Sequence, residues 1–147
     1  MGEEKSSTRT SRLLRELFRS TNIKGFIENN SDELETPKFH EYISMLCKMS
    51  DFIPEQVIKQ SAIERSYGHQ LFNGTRKPSR DKVIQLAFGL KLSVEDTQKL
   101  LQIAQKGLLY PKIKRDAAIL YCINHQKDIY DTQSVLETLE LPLLGGE

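Results

Sequence analysis

The stretch Pro54–Ser79, PEQVIKQSAIERSYGHQLFNGTRKPS, allows few folded forms. Pro54 suits the first position of a helix, where its missing N–H breaks no hydrogen bond. Val57, Ile58 and Ser61 give that helix a brief inward face, and Ala62 stands where the chain must turn sharply. A second helix is expected from about Glu64 to Phe72. Asn73-Gly74 then tolerates a positive φ, and Pro78-Ser79 stops one element and caps the next. A short helix with a polar start, lying across another short helix, has the geometry that enters a DNA major groove.

The run Arg65-Ser66-Tyr67, Leu71, Asn73-Gly74, Arg76, Pro78-Ser79 and, further on, Leu86-Ala87 and Leu90 resembles the helix-turn-helix of the Cro/lambda-repressor (XRE-like) family, over roughly residues 39–104. The resemblance implies an all-α fold, a lambda-repressor-like five-helix DNA-binding domain over 36–107. It implies that Arg65, Ser66, His69 and Gln70, early in the second helix, read bases. Arginine forks onto guanine and glutamine onto adenine. Gln56, Asn73, Gly74, Arg76, Lys77 and Arg80 would hold phosphates and set register without reading sequence. The plainer readings are a solvated loop for Arg76 and Lys77, and an ion pair with a neighbouring carboxylate for Arg65.

The chain departs from the family pattern within the motif. Ile58 stands where a small residue is usual and Gly68 where a β-branched core residue is usual, so the two compensate if they meet across the helix pair. Ser61 replaces an apolar residue and Ala62 the turn glycine. Gly68 equally lets another backbone approach closely, as a protein partner's would.

The net charge of +1 over 147 residues is unevenly spread. Residues 55–91 carry seven positive charges against three negative, whereas the segments on either side are slightly acidic. That excess suits a phosphate-facing surface. No run approaches the ~18 apolar residues of a membrane span, and the start, MGEEKSSTRTS, lacks the apolar core of a secretory signal, so a cytoplasmic protein is expected. Gly2 and Ser6 match the myristoylation pattern, which is short enough to arise by chance. Cys47 and Cys122 lack C-x-x-C spacing and read as buried, reduced thiols. His40, His69 and His125 have no ligand partners at metal spacing, and no cofactor is expected. There is no Gly-rich phosphate loop, no Ser or Cys with a base and no clustered carboxylate pair, so catalysis is not expected. Asp116, Asp128 and Asp131 fall at helix starts, where capping accounts for them.

The rest of the chain reads as helices. Residues 1–10 are polar and expected to be a flexible tail. An N-terminal helical extension covers 11–35, with a Leu13/Leu14/Leu17/Phe18 stripe, then a short helix from Thr21 to Asn29 burying Ile23, Phe26 and Ile27. Thr36 as N-cap and Pro37 as first residue open a helix with Phe39, Ile43, Leu46 and Cys47 on one face. Ser79 caps a helix buried on two sides. Ser93 caps another, with Thr97, Leu100, Leu101 and Ala104 inward and Gly107 at its end. A C-terminal helical hairpin over 108–142, Lys112–Asn124 and Ile129–Glu140, precedes a tail at 143–147. Residues 80–107 align with 115–142 at an offset of 35 without a gap: Arg80-Asp81 with Arg115-Asp116, and Asp96-Thr97-Gln98 with Asp131-Thr132-Gln133. Either this is a true repeat of helix pairs, too few for a solenoid, or capped hairpins share cap chemistry.

These readings converge on a sequence-specific DNA-binding transcriptional regulator acting on double-stranded DNA as a homodimer. The Leu13/Leu14/Leu17/Phe18 and Val135/Leu136/Leu139 stripes would serve for dimerisation or partner docking. The alternative is a protein–protein interaction module on a helix-turn-helix fold that has lost DNA binding.

Overall fold

A computed structural model describes residues 2–34 and 36–145, with side chains from Thr10 onward. Every element among them is helical: α1 (Gly2–Arg19), α2 (Ile23–Asn29), α3 (Phe39–Met49), α4 (Pro54–Gln60), α5 (Arg65–Asn73), α6 (Arg80–Gly89), α7 (Val94–Ile103), α8 (Lys114–Asn124) and α9 (Ile129–Thr138). The chain divides into two compact units, one running to Thr36 and the other starting at Pro37. No helix is long and apolar enough to cross a membrane.

The first unit is small. Its opening helix starts at Gly2 rather than near Ser11; no proline or further glycine interrupts it before Arg19. Asn22 caps α2 by accepting from the Lys24 and Gly25 N–H groups, and Arg12 pairs with Glu33. Of the three residues expected inside α2, only Phe26 is buried; Ile23 and Ile27 face outward, as do Leu14 and Phe18 on α1. Seven residues of helix have one face to bury, and Phe26 occupies it. Met1 and Glu35, the ends of the expected tail and extension, lie outside the described residues.

In the second unit a single core gathers Ile43 and Cys47 of α3, Val57 and Ile58 of α4, Leu71 of α5, and residues from α6 through α9. Helix α6 is its axis: every residue from Val83 to Leu90 is buried. Helix α3 begins at Phe39, because extended backbone continues through Lys38 (ψ 135°), so Thr36 is not its cap. Helix α7 ends on Ala104, with Gln105 in the left-handed position (φ 58°). Gly107 is therefore not its stop.

The 35-residue offset is carried by geometry as well as sequence. Arg80 forks onto Asp116 (3.1 and 2.9 Å) and donates to the Gly107 and Leu108 carbonyls. Arg115 forks onto Asp81 (3.0 and 2.9 Å) and donates to the Pro142 and Leu143 carbonyls. The Tyr110 N–H bonds Asp116, and the Gly145 N–H bonds Asp81. Gln98 exchanges two hydrogen bonds with Leu109, as Gln133 does with Leu144. Lys91 and Gln126, like Gln105 and Glu140, share left-handed φ values. Exchanging each residue for its counterpart 35 positions away turns each interaction into the other. In a solenoid the second arginine would reach forward to a third copy. Here it returns to the first, so α6–α7 and α8–α9 form a closed, two-fold-like pair. Residues 143–145 are consequently not a tail: Leu144 is buried and Gly145 is bonded, while 146–147 lie outside the described residues. Of the Val135/Leu136/Leu139 stripe, Leu136 is fully buried and Val135 packs against the core, whereas Leu139 is exposed.

Candidate functional site

The α4–α5 pair is assembled by complementary shapes. Gly68 is buried, and a Cβ on it would lie within 2.9 Å of three Ile58 side-chain carbons. The large residue on α4 thus fills the space left by the small one on α5, and no partner backbone is needed to occupy it. On the other side of α4, a Cβ at Gly89 would overlap Ser61 Oγ and stand 2.6 Å from the Val57 carbonyl oxygen. Ser61 is buried and donates to that same carbonyl (2.6 Å), which satisfies its hydroxyl inside the core. Ala62 takes the left-handed turn (φ 55°), and Gln85 of α6 donates to the carbonyls of Ser61 and Ala62. Helix α4 is therefore wedged between two glycines.

Helix α5 starts one residue later than expected, at Arg65, because Glu64 is its cap. The Glu64 carboxylate accepts from the Ser66 and Tyr67 N–H groups at 2.9 and 2.8 Å. Those bonds hold its carboxyl below the usual range. Arg65 and His69, one turn apart on α5, both reach Glu55 of α4: Arg65 Nε at 2.7 Å and His69 Nε2 at 2.6 Å. The hydrogen bonds from Arg65 and His69 likewise lower the Glu55 carboxyl. All three side chains remain open to solvent, with Arg65 76 % exposed, so the cluster is a surface arrangement. Ser66 is exposed, and Gln70 accepts from Arg76 Nε at 2.8 Å.

The loop after α5 is fixed by Gly74 (φ 83°), whose missing Cβ leaves room for the His40 ring. Asn73 accepts from the Thr75 N–H and hydroxyl, the job of an Asx turn. Arg76 lies over the Tyr67 ring at 4.3 Å, with Lys82 Nζ at 5.3 Å. Arg76, Lys77 and Gln56 are exposed. Arg80 is not part of this surface. Its donors are taken by Asp116 and two carbonyls, so it is a structural arginine and leaves the phosphate-binding set.

The fold thus brings Arg65, Ser66, His69 and Gln70 onto the exposed side of α5, beside Arg76 and Lys77. Sequence reasoning missed Glu55, Glu64, Tyr67 and Lys82. Glu64 was hidden because glutamate is not among the favoured caps. The i, i+4 spacing of Arg65 and His69 puts two donors on one face of α5, but it does not say that the carboxylate they share is Glu55 of α4. Among the described residues no group of His, Cys, Asp or Glu could hold a metal ion. Cys47 and Cys122 are free and buried, and burial pushes the Cys47 thiol up to about 11. No family model matches the chain, and no curated protein or solved structure matches it significantly.

Proposed function

We propose that the α4–α5 pair is a helix-turn-helix of the lambda-repressor type and that the chain is a sequence-specific DNA-binding regulator acting as a homodimer. The observation that carries this reading is one exposed helix start, with Arg65, Ser66 and His69 on it, set beside a loop presenting Arg76 and Lys77. Arg65 and Gln70 have the donors that fork onto guanine and adenine edges, and Arg76 and Lys77 supply phosphate contacts. Glu55 holds Arg65 and His69 in place in the free protein. Because that cluster is solvent-exposed, exchanging the carboxylate for a base edge or phosphate requires no buried bond to break. Dimerisation would bring two recognition helices onto half-sites about one turn apart. The exposed Leu14 and Phe18 face of α1 is the candidate surface.

One arrangement favours a second reading, a protein-interaction module on the same fold. Two carboxylates, Glu55 and Glu64, stand at the start of α5, where phosphates would otherwise approach. Selection from a random duplex pool separates the two. Arg65→Ala should relax preference at one base position, whereas Arg76→Ala should weaken all sequences alike. Glu55→Gln should strengthen binding by releasing Arg65 and removing a repelling charge. A wild-type protein that enriches no sequence would favour the interaction module.

A further inference from the structure

Arg76 leaves the loop after α5 in a fixed direction. Its Nε donates to Gln70 Oε1 at 2.8 Å, and its guanidinium carbon lies 4.3 Å from the centroid of the Tyr67 ring. Tyr67 and Gln70 stand three residues apart on one face of α5, so a single helix supplies both the ring and the acceptor. The ring is itself held. The Tyr67 N–H donates to the capping carboxylate of Glu64 (2.8 Å), and the side chain packs half-buried against the core. Lys82 of α6 lies over the same ring, with Nζ 5.3 Å from the centroid and donating to Gln85 Oε1 at 3.2 Å. A guanidinium carries five N–H donors in one plane. With Nε taken by Gln70, the end-on pair Nη1 and Nη2 points away from it, and no hydrogen bond or ion pair engages that pair among the described residues. Glu64 feels the charge of Arg76, but its oxygens are committed to the Ser66 and Tyr67 N–H groups.

We infer that Tyr67 is a positioning residue for phosphate binding: its ring, with Gln70 Oε1, holds Arg76 so that the Nη1 and Nη2 edge meets a phosphate of the DNA backbone. Two parallel N–H groups on one guanidinium match two oxygens of a phosphate. An unrestrained arginine loses rotamer freedom when it binds, whereas one already held by a ring and an amide has less to lose. Lys82 ties the same ring to α6, so the loop, the recognition helix and the helix behind it share one contact. The role rests on DNA binding by the α4–α5 pair, and it adds a residue that acts through Arg76 and not on the nucleic acid itself.

The test is fluorescence anisotropy of the full chain on a duplex enriched from the random pool and on an unrelated duplex, between about 50 and 200 mM salt. Tyr67→Leu should weaken binding to both duplexes alike by roughly two- to fivefold, the worth of an exposed cation–π contact. It should cost nothing further once Arg76 is alanine. Tyr67→Phe keeps the ring and should bind as the wild type does. Arg76→Lys keeps the charge but loses Nε and the fork, so it should lose a similar factor with an unchanged salt slope. Arg76 is exposed, so that variant keeps the fold even if Tyr67→Leu does not, as circular dichroism would verify. Additive losses from Tyr67→Leu and Arg76→Ala, a loss in Tyr67→Phe equal to that in Tyr67→Leu, or wild-type affinity in Arg76→Lys overturns the role while DNA binding stands. A wild type that enriches no duplex, or binds none at the lowest salt, removes DNA binding and the role together.

Discussion

Ile58 and Gly68 act as one unit, since the volume of the first occupies the place of the missing Cβ on the second. Gly68→Ala gains roughly 0.5–1 kcal/mol of helix propensity but forces Ile58 from its position, and overpacking of that kind costs about 1–3 kcal/mol. The single variant should therefore be destabilised in urea melts, and combining it with Ile58→Val should cost less than the sum of the two single changes, giving a non-additive cycle. Gly89 behaves differently. An added Cβ there meets the Val57 carbonyl as well as Ser61, so Ser61→Ala should not rescue Gly89→Ala. A full rescue would mean that the backbone of α4 yields more readily than this packing implies. The departures from the family pattern at Ile58, Ser61, Ala62 and Gly68 are thus compensated within the chain itself.

At the scale of elements, the exchange between Arg80–Asp116 and Arg115–Asp81 fixes how α6–α7 meets α8–α9. A buried ion pair is weak evidence of net stability, but losing one partner strands the other, at about 3–5 kcal/mol. Asp81→Asn and Asp116→Asn should each lower the unfolding free energy by that order in denaturant melts, although Asp116 is the more buried of the two carboxylates. Burial raises the Asp81 carboxyl, but the Arg115 fork, the Gly145 N–H and the charges of Arg115 and Arg80 outweigh it and hold it below its ordinary value. A lowered carboxyl stabilises the fold above its unfolded value, about 3.9, and that contribution disappears as pH falls through the folded value. Stability should accordingly drop below about pH 4 in the wild type, with a shallower drop in Asp81→Asn, as midpoints against pH would show. The sequence disclosed the repeat because cap residues and the Arg-Asp pairs recur at one spacing. It could not disclose closure, because a residue's spacing does not say whether its partner lies in the next copy or the previous one.

For the whole molecule, the apolar stripes, Pro54, Ser79 and Ser93 made the α3–α7 helices legible from residues alone, to within one or two positions at most ends. The site was legible in its members but not in their pairings. Arg80 looked like a loop cation until Asp116, 36 residues on, claimed it, and Glu55 is invisible as a partner until α4 crosses α5. The second unit has its own core, so a chain lacking residues 1–36 should melt as the full chain does. If the α1 face holds the dimer, light scattering of that shortened chain should give the mass of one shortened chain; the mass of two shortened chains would remove the claim. The proposed function itself is tested most directly by fluorescence anisotropy of the protein on duplex DNA flanking its own gene, between about 50 and 200 mM salt. Arg76 and Lys77 at phosphates predict a slope of log affinity against log salt of roughly −2 or steeper per subunit, made shallower by Arg76→Ala. Flat salt dependence, or no binding at the lowest salt, would contradict it.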